Sequence, residues 1–180
     1  MKHIYFSIIG GVVLFLWQFL SYAMPNFHKS AQAYTPLQDS IMNYFEQVGL
    51  EEGMYMLGMP NPDNKEEVAA SWNEESSTWA IVNYRIDESN SMAMPLFRSF
   101  SVCVLIAAML FWLLKQKEGT SMQYKVIVSV LVGFVSFLFI SYSNYIWFKE
   151  PDIYAHLIDG IVPWIALGLI AHLFLKPKLN

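Results

Sequence analysis

The chain is 180 residues long, 55% hydrophobic and only 14% charged, with a formal net charge of −4 at pH 7. That acidic balance lacks the basic footprint that nucleic acid requires, so nucleic-acid binding is excluded as a reading. The single cysteine, Cys103, cannot form an intrachain disulfide and sits in an apolar block, where it reads as a small packing side chain.

The apolar residues gather into four blocks, residues 4–22, 96–114, 126–147 and 157–175. Each approaches the roughly 17–25 residues that cross a bilayer. Hydrocarbon offers no partner to backbone N–H and C=O groups, so each block is predicted to be a transmembrane helix. The expected fold class is an all-α membrane protein: a four-transmembrane-helix bundle with a small α+β extracytoplasmic cap, residues 23–95, between spans one and two.

Orientation follows from the lysines. With the N-terminus inside, the inner face holds Lys2, Lys115, Lys117, Lys125, Lys176 and Lys178 against one acid, Glu118; every other acid falls outside. This is the positive-inside pattern, and it predicts both termini cytoplasmic in a bacterial inner membrane. The first block follows Met-Lys-His and ends near Ser-Tyr-Ala, as a signal peptide does. Its apolar run exceeds the roughly 7–15 residues of a signal-peptide core, so an uncleaved anchor is expected. Ser7 and Gly11 form a small-xxx-small pair beside Gly10, with Gly133, Gly160 and Gly168 as further close-packing positions. Pro163 is expected to kink span four.

In the exported segment, Thr35-Pro36 followed by LQDSIMNYFEQVG predicts an N-cap, a proline at the first helical position and an amphipathic helix stopped by Gly49. Asp63-Asn64-Lys65-Glu66 resembles a capping box that opens a second helix through Trp72. Thr78–Ile86 is rich in β-branched and aromatic residues and reads as a strand, with Met54–Leu57 its expected partner. Met54, Met56 and Met59 are spaced M-x-M-x-x-M. Exported thioethers suit Cu(I), which makes them candidate metal ligands. Against that, methionine is ordinary core filler, no span carries methionines at a four-residue spacing, and no cysteine is available to share the site. Packing is the preferred reading.

Polar groups recur at one depth near the outer ends of the spans: Gln18, Arg98, Asn144, His156 and Asp159. His156 and Asp159 are three apart and share a helical face. The layer has two readings. One is a polar pocket for a small polar ligand or a lipid headgroup. The other, preferred, is structural: Asp159 capping its own helix N-terminus and pairing with Arg98. His156 and His172 lack partners at matching depth for bis-histidine haem, and no cofactor is expected.

Three stretches carry a resemblance. They are GGVVLFLWQFLSYAMP (10–25), where Trp17 and Ser21 follow a glycine pair, EEGMYMLGMP (51–60) and NYIWFKEPDIYAHLIDGIVPWIALGLI (144–170). Together they resemble a family of small four-span bacterial membrane proteins with no assigned activity. The family fills positions like Met54 and Met56 with leucine or phenylalanine, which implies packing there rather than copper. It brings no catalytic residue.

No H-E-x-x-H, P-loop, G-x-S-x-G or CxxC motif is present. The expectation is a non-catalytic integral membrane protein, an accessory or scaffold subunit of a larger envelope complex. Its partners are then the lipid bilayer and other membrane proteins, met through Tyr55, Trp72, Trp79, Tyr84 and Phe97. The alternative is a component that binds or transports a small ligand, a lipid or a metal such as copper through the outer polar layer. An enzyme would have to draw on His156 and Asp159 at the membrane surface.

Overall fold

The computed structural model describes residues 1–71, 78–86 and 91–175. In chain order the elements are α1 (Lys2–Ala23), a 3-10 turn (Lys29–Ala31), α2 (Gln38–Gln47), β1 (Gly53–Leu57), α3 (Lys65–Ser71) and β2 (Ala80–Tyr84). There follow α4 (Ala93–Lys115), α5 (Met122–Phe137), a π-helical segment (Leu138–Tyr142), α6 (Ser143–Phe148), α7 (Ile153–Asp159) and α8 (Val162–Phe174). The chain divides into two compact units, Met1–Ala33 with Met92–Asn180, and Tyr34–Ser91.

The first unit holds four helical stretches long and apolar enough to cross a membrane: Lys2–Ala23, Ala93–Lys115, Met122–Phe148 and Ile153–Phe174. This is a multi-pass membrane protein. The fourth stretch begins four residues before its apolar block and is broken in two. Pro163, the second residue of α8, has no N–H to give to the preceding turn, and α7 closes at Gly160. The expected kink is thus a full break, located at Gly160–Ile161 (φ −121°, ψ −57° at Ile161). The third stretch is continuous but widens into a π turn opposite this break, a distortion that single helices tolerate and that recurs beside functional sites.

Helix α1 packs along α4 and α5 along α8, the pairs meet through α1 and α8, and α4 and α5 hardly touch. Phe6, Phe111, Leu114 and Leu167 fill the buried core. The close approaches are made where the sequence has glycine. A Cβ on Gly11 would lie 2.8 Å from the Cα of Val104, and one on Gly168 would lie 2.6 Å from the Cα of Val126. At Gly133 it would collide with the Trp164 ring and the Gly160 carbonyl, so this glycine seats α5 on the broken span.

In the second unit β1 and β2 pair antiparallel, with Met54 opposite Asn83 and Met56 opposite Ile81. Helix α2 starts later than expected. Thr35 accepts the Leu37 amide at 3.3 Å instead of capping the helix, so Pro36 lies outside it. Its C-terminus is as predicted: Gly49 has φ +65°, its amide reaches Glu46 O, and the Leu50 amide reaches Phe45 O. The cap of α3 is Asn64 rather than Asp63, accepting from the amides of Glu66 (3.2 Å) and Glu67 (3.3 Å). Trp72 lies outside the described residues. Tyr84 is buried against the edge of Phe45 and belongs to the small core. Met54, Met56 and Met59 are 69%, 44% and 51% exposed, which corrects the packing reading. With so few strands the sheet has one face to bury, and Met54 and Met56 are on the other, while Met59 follows the strand beyond Gly58.

Gly133→Ala should lower the unfolding free energy in detergent by about 1–3 kcal/mol through overpacking. Gly119→Ala, where a Cβ meets nothing, should leave the thermal midpoint unchanged.

Candidate functional site

Helix α1 ends at Ala23 and the chain turns back on it, with Asn26 in the left-handed region (φ +56°) and the Phe27 amide donating to Ser21 O at 2.9 Å. Asparagine takes that conformation at little cost. The turn lays His28 over the helix end, its ring stacked on Tyr22 with 3.9 Å between centroids and 4° between planes. His28 is completely buried. Ser30 Oγ ties the same turn to the Pro151 carbonyl at 3.1 Å, which brings it against the start of α7.

Asp152, His156 and Asp159 lie at i, i+4 and i+7 along the start of span four, on one helical face. Asp152 stands at the N-cap of α7 but makes no capping hydrogen bond. Its Oδ2 is 2.7 Å from His28 Nδ1 and 3.5 Å from His156 Nε2. Asp159 lies in the last turn of α7. Its Oδ1 accepts from Trp17 Nε1 (2.9 Å) and Ser21 Oγ (2.7 Å), and its Oδ2 is 3.0 Å from His28 Nε2. Trp17 and Ser21 are one turn apart on α1, so a single carboxylate fastens the C-terminal end of span one to span four.

Both ring nitrogens of His28 therefore face carboxylate oxygens. Two hydrogen bonds here need two protons shared among one imidazole and two carboxylates, which leaves the trio at net −1 wherever the protons sit. Buried charge at a membrane edge is costly unless it is paired in this way.

Of three cavities here, two touch the cluster and the other adjoins one of them. One of about 490 Å³ is lined by Trp17, Gln18, Tyr22, Cys103, His156 and Asp159, among others. A second of about 560 Å³ is lined by apolar side chains of α4 together with Val132 and Trp164. Ile106 and Trp164 line both, so the polar cavity adjoins an apolar groove in the gap between α4 and α5. A third, of about 160 Å³, lies across His156 and Asp159 beside Ser141 of the π turn.

The structure brings together Gln18, His156 and Asp159 and leaves out the other two members of the expected layer. Gln18 Oε1 accepts from Ser99 Oγ (3.1 Å) and Cys103 Sγ (3.6 Å). Arg98 is exposed on α4, and among the described residues it makes no ion pair with Asp159. Asn144 is exposed on α6 and lines none of these cavities. Nor does Asp159 cap a helix N-terminus, because the break at Gly160 moves it to the C-terminal end of α7. The expected clamp on Asp159 exists, but Trp17, Ser21 and His28 make it. Of the expected partner-contact residues, Trp79 (38%) and Phe97 (67%) are exposed, while the Tyr55 hydroxyl donates to Glu51 O at 2.8 Å.

Sequence reasoning did not single out Asp152 or His28. The first had a signal, since the i, i+4, i+7 spacing of Asp152, His156 and Asp159 marks a polar stripe on an otherwise apolar helix. The second had none, because a histidine in an irregular turn gives no spacing from which to read its partners. No protein-family model matches the chain, and comparison with curated proteins and with solved structures gave no match.

Asp159→Ala leaves the His28 and Trp17 donors without an acceptor and should destabilise the protein by about 3 kcal/mol or more. Ser21→Ala removes one hydrogen bond and should cost about 1 kcal/mol. Thermal unfolding in detergent followed by circular dichroism measures both.

Proposed function

We propose that this protein binds an amphiphile within the bacterial inner membrane, with both termini cytoplasmic and residues 23–95 exported. The orientation is supported by the short lysine-rich inner segments. The binding reading is supported by one observation above others: a polar cavity walled by Gln18, His156 and Asp159 adjoins an apolar groove across Ile106 and Trp164. A polar end with hydrogen-bond donors or positive charge fits the anionic cluster, and an acyl or isoprenoid tail fits the groove. A passive scaffold has no need of a buried imidazole held between two carboxylates, a costly arrangement where the dielectric is low.

Purification in mild detergent followed by native mass spectrometry tests the reading. The wild type should retain about one amphiphile per chain. Ile106→Trp, which fills the junction of the two cavities, should lose it without losing helicity. Equal retention by both proteins, or none by either, would remove the reading.

A second reading, an accessory subunit that meets another membrane protein, is favoured by the exposed apolar face of β1 and β2 formed by Met54, Met56 and Ile81. If that face docks, a stoichiometric companion should co-purify with the wild type and be absent from Met56→Lys. Co-purification unchanged by Met56→Lys, or no companion at all, would count against it.

A further inference from the structure

The side of His28 that faces Asp152 gathers a second imidazole around the same carboxylate oxygen. His28 Nε2 points at Asp159 Oδ2, and Asp159 is itself fixed by Trp17 and Ser21. If Nε2 carries the proton, Nδ1 presents a lone pair to Asp152 Oδ2 at 2.7 Å. In that tautomer two lone pairs face each other, an arrangement relieved either by a second ring proton or by a bound cation. A second imidazole, His156, brings its Nε2 to 3.5 Å from the same oxygen. The donor atoms of His28, Asp152 and His156 all lie within 4.8 Å of one another.

We infer that His28 Nδ1, His156 Nε2 and a carboxylate oxygen of Asp152 form a binding site for a divalent transition-metal ion of the zinc type. Donors in a tetrahedral zinc site lie ~3.3 Å apart, given metal–ligand bonds of about 2.0–2.1 Å. The Asp152–His156 pair, at 3.5 Å, is already close to that separation, and the His28–Asp152 pair, at 2.7 Å, needs to open by about 0.6 Å. Two features favour metal over a purely hydrogen-bonded cluster. Asp159 stands behind His28 as metal-binding histidines are usually backed, accepting from the ring nitrogen that does not bind and so aiming the other at the ion. Asp152, at a position where aspartate normally caps, directs its carboxylate to the two imidazoles instead.

Charge agrees with this assignment. A dication with the Asp152 and Asp159 carboxylates and two neutral imidazoles sums to zero, the least costly state for a buried site at a membrane edge. Two nitrogen donors argue against calcium and magnesium, which take oxygen, and the absence of sulfur in the set argues against Cu(I). The site lies in the helical unit, apart in sequence from Met54, Met56 and Met59, and differs from them in donor chemistry. It shares His156 and Asp159 with the polar cavity, but His28 and Asp152 line neither of the two adjoining cavities, so the ion can be tested apart from the amphiphile.

The full-length protein in detergent, stripped with chelator, is titrated with Zn²⁺ by calorimetry and with Co²⁺ by visible absorption. One ion per chain is expected, with Co²⁺ bands of a four- or five-coordinate site. Asp152→Asn and His156→Ala should each weaken binding at least 100-fold. Asp159→Asn, a positioning change, should weaken it about 10–100-fold and keep the stoichiometry. Ile106→Trp should bind the ion as the wild type does, so loss of amphiphile and loss of ion are told apart. The inference is overturned if the folded wild type binds neither ion, or if Asp152→Asn and His156→Ala bind as tightly as it does.

Discussion

One end of this membrane bundle depends on the imidazole of His28 being buried between two carboxylates. Asp159 holds one ring nitrogen and Asp152 the other, and Asp159 also takes the Trp17 and Ser21 donors of α1. Where water is scarce, each of these groups would be expensive to bury alone and is tolerable only in the company of the rest. The cluster therefore acts as one unit, fixing the end of span one, the turn after it and the start of span four against one another.

Several irregularities of the backbone serve that unit. The turn after α1 exists to fold His28 back onto Tyr22, and the left-handed residue it needs is an asparagine. The break at Gly160–Ile161 separates α7 from α8, so the stripe of Asp152, His156 and Asp159 belongs to a short helix of its own. Gly133 lets the π-distorted third span close against this break and the Trp164 ring. In lipid, backbone groups released by such distortions must find partners inside the protein, so irregularity is kept where polar groups or a cavity receive it.

The same arrangement places the cluster beside a polar cavity that adjoins an apolar groove. His156 belongs to the proposed ion site and lines the polar cavity, while Trp164 lines both that cavity and the apolar groove. An ion at the cluster would set the charge felt by the polar end of a ligand in the cavity, and the groove would select its tail. The small unit of Tyr34–Ser91 contributes a different surface, with methionines displayed on the open face of a two-stranded sheet.

Sequence alone determined the four spans, because a bilayer accepts only long apolar helices with internally satisfied backbones, and the four blocks have that length. It also determined the Gly49 stop of α2, and it pointed to the pairing of β1 with β2 and to a kink in span four, each written in local residue chemistry. The depth of Gln18, His156 and Asp159 could be read from their positions along those spans. Their partners could not. Arg98 was the obvious counterion for Asp159 by charge and depth, yet the carboxylate is met by an indole, a hydroxyl and a buried imidazole. That choice was made by the rotation of α1 against α7 and by a turn that returns His28 from beyond the span. Rotation and return are set by packing between segments more than a hundred residues apart, which no local pattern encodes.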